Sequence, residues 1–213
     1  MDLQIKSSSL NFTAMHIANC EGLKLYKITD KSDFRFLKHV QAGTKLEKLL
    51  PNLSRDEYSR WNEMLEYAVY SSSNPGNITY LETFKNKPCG IITFFPDKNN
   101  FLLDCICTWS VEFGKKVKLA GQTLFYQLFK DFSEHKAKKI KLYAITNGPV
   151  DTVSKYKNLN FKETSNRYAT KVEMEISAPR VKETINNLDT RLNYEPVEPE
   201  NVNLFTVWQY KKL

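Results

Sequence analysis

The sequence predicts an α/β (α+β) protein whose mixed, mostly antiparallel central sheet is flanked by helices, and three observations carry that expectation. Strand-like and helix-like segments follow one another as strand, helices, several strands, helix, strand, helix, strands, an order that belongs to layered α and β elements around one core. The run FLLDCICTWSV, Phe101 to Val111, is apolar apart from Asp104, Thr108 and Ser110, as expected of a central strand covered on both faces. The segment that follows it, from about Gly121 to His135, places Leu124, Phe125, Leu128, Phe129 and Phe132 on one helical face, the period of a helix packed on a sheet.

In chain order, LKLYKITD (Leu23 to Asp30) reads as a first strand, and Phe34, Phe36, Leu37 and Val40 mark a helix after it. A second helix starts at Ser54, where Ser54 and Glu57 have the spacing of a capping box and Tyr58, Trp61, Leu65 and Ala68 form an apolar stripe. Asn74-Pro75-Gly76 is a turn. ITYLETF (Ile78 to Phe84) and CGIITFF (Cys89 to Phe95) then read as an antiparallel pair joined at Lys85 to Pro88. KIKLYAIT (Lys139 to Thr146) is a further strand, and Pro149 opens a short helix ending near Asn158. Beyond Ala178, the residues Val181, Ile185, Leu188 and Leu192 space out an amphipathic helix, Pro196 and Pro199 mark a linker, and LFTVWQY (Leu204 to Tyr210) reads as a terminal strand.

Composition narrows the class. With 213 residues, thirteen Phe, eleven Tyr and three Trp, but only seven Gly and eight Pro, the chain can bury a sizeable core and is no linker-rich polymer. No run approaches the roughly 18 apolar residues of a membrane span, and the N-terminus lacks a contiguous apolar leader segment. A cytoplasmic location without membrane association is therefore expected. The isolated histidines His16, His39 and His135 and the pair Cys105/Cys107 argue against a metal site and for packed free thiols. A net charge of +7 suits a substrate rich in phosphate as well as a nucleic acid. A nucleic-acid module, however, would interleave exposed aromatics with lysines on one sheet face, whereas these aromatics mostly fit buried stripes, so nucleic acid is not the expected partner.

The segment richest in chemistry runs from Val111 to Leu124, where an apolar strand gives way to a basic loop that enters a helix directly. Backbone N–H groups in a first helical turn lack intrahelical partners and lie at the positive end of the helix dipole, which suits a pyrophosphate. Lys116 and Lys118 add countercharge. Here the sequence resembles the GNAT superfamily of acyl-CoA N-acyltransferases, whose pyrophosphate motif runs V-x-P-x-x-R/Q-x-x-G-x-G/A into a helix. Val111, Lys116, Leu119 and Gly121 fall on that pattern in register; Phe113 stands for its Pro, Lys116 for its Arg or Gln and Leu119 for its first Gly. Leu119 would crowd the phosphate, and a left-handed backbone there would cost it about 1 to 2 kcal/mol that Gly avoids. The ending Y-K-N-L-N-F, Tyr156 to Phe161, resembles the family's Y-x-K-x-G-F, with Asn160, the next residue most tolerant of a left-handed backbone, in place of Gly. Order and spacing agree from Leu23 to Glu173.

The resemblance implies a GNAT-like domain over residues 23–177, an N-terminal extension over 1–22 and a C-terminal helix-and-strand extension over 178–213. It implies transfer of acetyl from acetyl-CoA to a primary amine within a ternary complex. The cofactor would contact Trp109, Ser110, Val111, Lys116, Lys118, Leu119, Ala120, Gly121, Gln122 and Asn147. Tyr156 is the family's usual proton donor to the leaving thiol. Glu82, Asp104 and Glu112 lie on strands lining the family's active site and are candidates to take the amine's proton. Asp56, Glu57, Glu63 and Glu66 of the second helix would attract a cationic amine or present a solvated face. The alternatives are an inactive acyl-CoA-binding relative and, outside the family, a basic nucleic-acid module. The acceptor, a small molecule or a peptide amine, is not named by any residue. The C-terminal tail would close the sheet, cover the acceptor site or exchange between the subunits of a homodimer.

Overall fold

The computed structural model describes residues 13–29, 54–148 and 150–204. Nine strands among them form one sheet in the order β7-β8-β6-β5-β4-β3-β2-β1-β9. The strands are β1 (Thr13–Cys20), β2 (Leu23–Ile28), β3 (Ile78–Phe84), β4 (Lys87–Asp97), β5 (Asn100–Thr108), β6 (Lys139–Ile145), β7 (Lys162–Arg167), β8 (Lys171–Ser177) and β9 (Tyr194–Asn203). Four helices accompany them: α1 (Arg55–Ser73), α2 (Ala120–Glu134), α3 (Thr152–Lys157) and α4 (Ala178–Asp189). The helix expected near Phe34 to Val40 and the helix start expected at Pro149 lie outside the described residues, as does LFTVWQY after Leu204.

Alternation along the strands sorts the core into two layers. One face of the sheet buries Leu23, Leu25, Tyr80, Phe94, Phe101 and Ile140 against Leu124, Leu128 and Phe129 of α2 and Val181 and Leu188 of α4. The other buries Tyr26, Leu81, Ile91, Cys107 and Trp109 against Leu65, Ala68 and Val69 of α1. Helix α1 begins as the sequence predicts. The Ser54 hydroxyl accepts from Glu57 N–H, and the Glu57 carboxylate accepts from Ser54 N–H at 2.8 Å, two otherwise orphaned donors satisfied reciprocally.

Two short turns depart from the expected boundaries. The β3–β4 loop is only Lys85-Asn86, both with positive φ (52° and 58°), the backbone signature of a tight hairpin turn; Pro88 belongs to β4, opposite Thr83. Residues Pro196 and Pro199 are not a linker. Both lie in β9, which pairs antiparallel with β1 at the rim of the sheet, where Pro and the exposed Glu195, Glu198 and Glu200 are the residues that keep an edge strand from recruiting others. β1 leaves little trace in the sequence, because His16 and Asn19 break its apolar alternation; His16 bonds Asn19 side chain to side chain at 3.1 Å.

The C-terminal elements are tied to α2 by buried polar bonds. Tyr194 donates to Gln127 at 2.6 Å, Gln127 donates to Asp131 at 2.7 Å, and Tyr80 of β3 donates to the other Asp131 oxygen at 2.7 Å. A second tie comes from Asn160. It sits at φ 64° just past α3, as its match to the family's glycine anticipates, and its side chain donates to Thr184 of α4 at 2.9 Å. Asn160→Ala is therefore expected to lower stability by about 2 kcal/mol, combining the left-handed penalty with a lost hydrogen bond; urea unfolding would read it, and Asn160→Gly should lose only the hydrogen-bond part.

Candidate active site

β5 and β6 are parallel neighbours, yet they pair only at Asn100–Lys139, Phe101–Ile140 and Leu102–Lys141. Past those three positions the strands part, and Leu103–Thr108 and Leu142–Ile145 line the two sides of a wedge whose backbone groups do not bond across it. The cause is local. Asp104 is the extra residue of a β-bulge, since Thr93 pairs with Cys105 and Phe94 with Leu103; a bulge bends its strand and sharpens the twist. The Asp104 carboxylate accepts from Tyr67 at 2.8 Å, from Asn77 at 3.1 Å and from Ser71. These bonds clamp the bulge to α1. On the opposite side of the wedge, Arg60 of α1 donates to the Asn147 carbonyl just after β6, so one helix holds both strands.

At the wide end of the wedge the chain leaves β5 through Trp109, Ser110 and Val111, all buried, with Trp109 N–H donating to Cys89 O at 2.8 Å. It then turns through the basic loop and enters α2. Leu119, the residue before the helix, has φ 66° and ψ −11°, and no side chain caps the helix. The chain thus accepts a strain of about 1 to 2 kcal/mol to hold the loop in the shape that a glycine would adopt freely, and the N–H groups of Leu119, Ala120 and Gly121 are left at the positive end of a 15-residue helix. Gln122 carries a buried side-chain oxygen with no partner among the described residues. It lies one turn before Phe125, whose ring meets Tyr156 edge-on at 5.7 Å. A pocket of about 300 Å³ under the loop is lined by Phe84, Val111, Glu112, Lys115, Lys116 and Lys118 together with Glu21, Val117 and Leu119.

The sequence does not single out Lys155 of α3, yet this residue completes the charge pattern. The residue as a whole is exposed, but partial burial of its ammonium, followed by the positive charge of Lys116, holds it below the ordinary lysine range. Two cations set near enough to repel one another mark a place where an anion between them would be stabilised. The only local signal is its position one residue before Tyr156.

Tyr156 packs between Phe125 and Phe161, half-buried, and burial followed by the neighbouring Cys105 and Cys107 holds its phenol well above the ordinary range. The three carboxylates fare differently. Glu112 stands in the loop, ion-paired with Lys85, which holds its carboxyl below the ordinary value. Asp104 is engaged by three donors, as above. Glu82 is fully buried on the α2 side of β3, both of its oxygens lack a partner among the described residues, and burial holds its carboxyl well above the ordinary range. Its side chain reaches over Gly90 of β4: a Cβ at position 90 would meet Glu82 Oε2 at 3.2 Å, Thr108 of β5 at 3.3 Å and Leu124 at 3.0 Å. Glu82, Gly90 and Thr108 therefore form one row across three strands, ending at the wedge. The thiols around the wedge are all held up by burial, Cys105 to about 12.

Solved structures share this fold. A protein from T. thermophilus, provisionally named an acetyltransferase, aligns over 83% of this chain and 96% of its own, with a TM-score of 0.55 at 11% identity. A nucleotide-linked sugar GNAT aligns over 81% and 96%, with a TM-score of 0.52 at 13% identity. The fold is that of the GNAT superfamily. PaiA N-acetyltransferase from Thermoplasma acidophilum, solved with coenzyme A, aligns over 73% of this chain and 98% of its own, at 18% identity and a TM-score of 0.49. No protein-family model and no curated protein matches the sequence. In this chain the wedge is the β5–β6 opening, and the basic loop follows the end of β5. No helix among the described residues is long and apolar enough to cross a membrane.

Proposed function

We propose that the protein is an acyl-CoA-dependent N-acyltransferase that transfers acetyl to a primary amine by direct attack within the wedge. The observation that carries this reading is the β5–β6 opening, with a strained helix start at its wide end beside a pocket lined by Lys115, Lys116 and Lys118. The residues present fit acetyl-CoA. Leu119, Ala120 and Gly121 would bond the pyrophosphate through their N–H groups, with Lys116, Lys118 and Lys155 as countercharge. Residues Trp109 to Val111, and Asn147 across the wedge, would bond the extended arm, and the unpartnered Gln122 oxygen would accept from one of its amides. When bound, the cofactor supplies a thioester carbonyl.

The chemistry left to the protein is proton handling. The amine must attack unprotonated, and an alkyl ammonium with a pKa of about 10.4 costs roughly 4 kcal/mol to neutralise near pH 7. Glu82 is the carboxyl on the flanking strands with unclaimed oxygens among the described residues, so we assign it, through Thr108 or a water, as the group that takes the proton once it has itself ionised, which its burial makes a step that grows with pH. Asp104 instead fixes the bulge, and Glu112 screens the loop lysines. Tyr156 would donate to the departing sulfur, whose thiol pKa of about 8.5, taken from cysteine, makes it an easy leaving group. Thiols held as high as these are poor nucleophiles, which favours direct attack over an acyl-cysteine relay.

The test is titration of the protein with acetyl-CoA. Micromolar binding is expected, weakened about ten-fold by Lys116→Ala and again by Lys155→Ala, the low end of what a charge-assisted bond contributes; absence of binding would overturn the transferase reading.

A further inference from the structure

Gly90 lies in the interior of β4, paired with Glu82 of β3 on one side and Thr108 of β5 on the other. Glycine weakens a strand interior and is kept there where something must approach the backbone closely. Backbone conformation does not require it at this position, because the described glycines with positive φ are Gly22 and Gly114. Space does. A Cβ on residue 90 would stand 3.0 Å from Leu124 Cδ1, 3.2 Å from Glu82 Oε2 and 3.3 Å from the Thr108 methyl, each closer than an ordinary van der Waals contact. The place that a side chain at 90 would fill between β4 and α2 is therefore taken by the Glu82 carboxyl itself.

The neighbours hold this arrangement. Cys89, the preceding residue, is tied on both sides: its carbonyl accepts from Trp109 N–H at 2.8 Å, and its thiol donates to the Glu82 carbonyl at 3.5 Å. Leu25 of β2, paired with Glu82, and Leu124 of α2 are buried and carry no charge. The ionisable groups that share the surroundings of the carboxyl are the thiols of Cys89 on β4 and Cys20 on β1 and the phenol of Tyr194 on β9. Burial holds all three up, and a charge on Glu82 would raise them further. No cation among the described residues acts on Glu82. Shape, not charge, directs the carboxyl toward β5.

We propose that Gly90 is a positioning residue: its missing side chain is what lets the Glu82 carboxyl lie across β4 toward the Thr108 end of β5, and a methyl at position 90 turns the carboxyl away from the wedge. The consequence for turnover rests on the acyltransferase reading and on Glu82 as proton acceptor. The placement of the carboxyl does not.

Gly90→Ala is to be measured in two backgrounds. In the wild type it is expected to lower kcat about 10- to 100-fold, the scale of a misplaced reacting group, and to flatten the rise of kcat with pH, while acetyl-CoA affinity stays unchanged. In Glu82→Gln, where no carboxylate remains to be placed, the same substitution should change kcat little, since residues that act through one another are not additive. An equal loss in both backgrounds, or a wild-type pH profile in Gly90→Ala, reduces Gly90 to packing and overturns the proposal. Because the closest approach is to Leu124, the cycle is repeated with Leu124→Val, which removes that methyl, and circular dichroism checks that each variant is folded. A ¹³C resonance keeps the two claims apart. The Glu82 carboxyl signal, identified by its loss in Glu82→Gln, is expected to shift in Gly90→Ala; an unmoved signal overturns the placement whether or not the protein turns over. A shifted signal in a protein that binds no acetyl-CoA would remove the transferase reading and leave the placement standing.

Discussion

Tyr156→Phe is expected to lower kcat by about 10²- to 10⁴-fold, the usual contribution of a positioned acid, while leaving acetyl-CoA affinity unchanged. The substitution isolates the hydroxyl. The ring stays, and with it the edge-on contacts to Phe125 at 5.7 Å and to Phe161 at 6.0 Å, so neither the wedge nor the core should move. The pH profile adds a second check. Because burial and the adjacent thiols raise the Tyr156 phenol well above its ordinary range, the group keeps its proton throughout neutral and mildly alkaline pH, and the wild-type rate should show no falling alkaline limb from this residue. Steady-state assays of released thiol across the neutral and mildly alkaline range would measure both effects. Full activity in Tyr156→Phe would reduce the residue to packing.

The second large effect concerns Glu82. A carboxyl that is 0% exposed with no hydrogen-bond partner among the described residues cannot be carried ionised without a cost of several kcal/mol, so the folded protein keeps it protonated to well above the ordinary carboxylate range, and it can accept a proton only where it has ionised. Below an unfolded pKa of about 4.3 the group is protonated in both states, and its burial is least costly. As pH rises the unfolded chain ionises first, and stability falls by up to about 1.4 kcal/mol per pH unit until the folded pKa is passed. Glu82→Met, close in volume, should remove that slope and be more stable than wild type at mildly alkaline pH, with the difference shrinking toward the ordinary carboxylate range. Urea unfolding at several pH values decides it. Equal slopes in the two proteins would mean that Glu82 finds a partner in solution, and would weaken its assignment as proton acceptor. Glu82→Gln should, in addition, abolish the rise of kcat with pH.

Local rules make the alternation, the α1 capping box, the α2 stripe and the strain at Leu119 and Asn160 legible in advance. Each depends on residues within a turn or two of one another, and a left-handed position betrays itself by the Gly that a related pattern puts there. The hairpin itself is legible, but the two-residue length of its Lys85-Asn86 turn is not, because neither residue is the Gly such turns favour; nor is the strand character of Pro196 and Pro199, because pairing with the distant β1 overrides local preference. The roles of the three carboxylates are also out of reach. Asp104, Glu82 and Glu112 look alike in sequence, and only the neighbours brought by other strands and by α1 distinguish a clamped, an unpartnered and an ion-paired group.

The sequence by itself determined that this chain builds a sheet and a helix entered directly from a basic loop, since period, caps and the loop lysines are written in consecutive residues. Only the tertiary structure decided where the wedge opens, that Lys155 feels the charge of Lys116, that Glu82 reaches over Gly90, and that Lys171 rests on Tyr143 and Tyr168. Those facts depend on strand register and on a single bulge, quantities set by the packing of distant segments and by the desolvation that packing imposes, which no window of neighbouring residues contains.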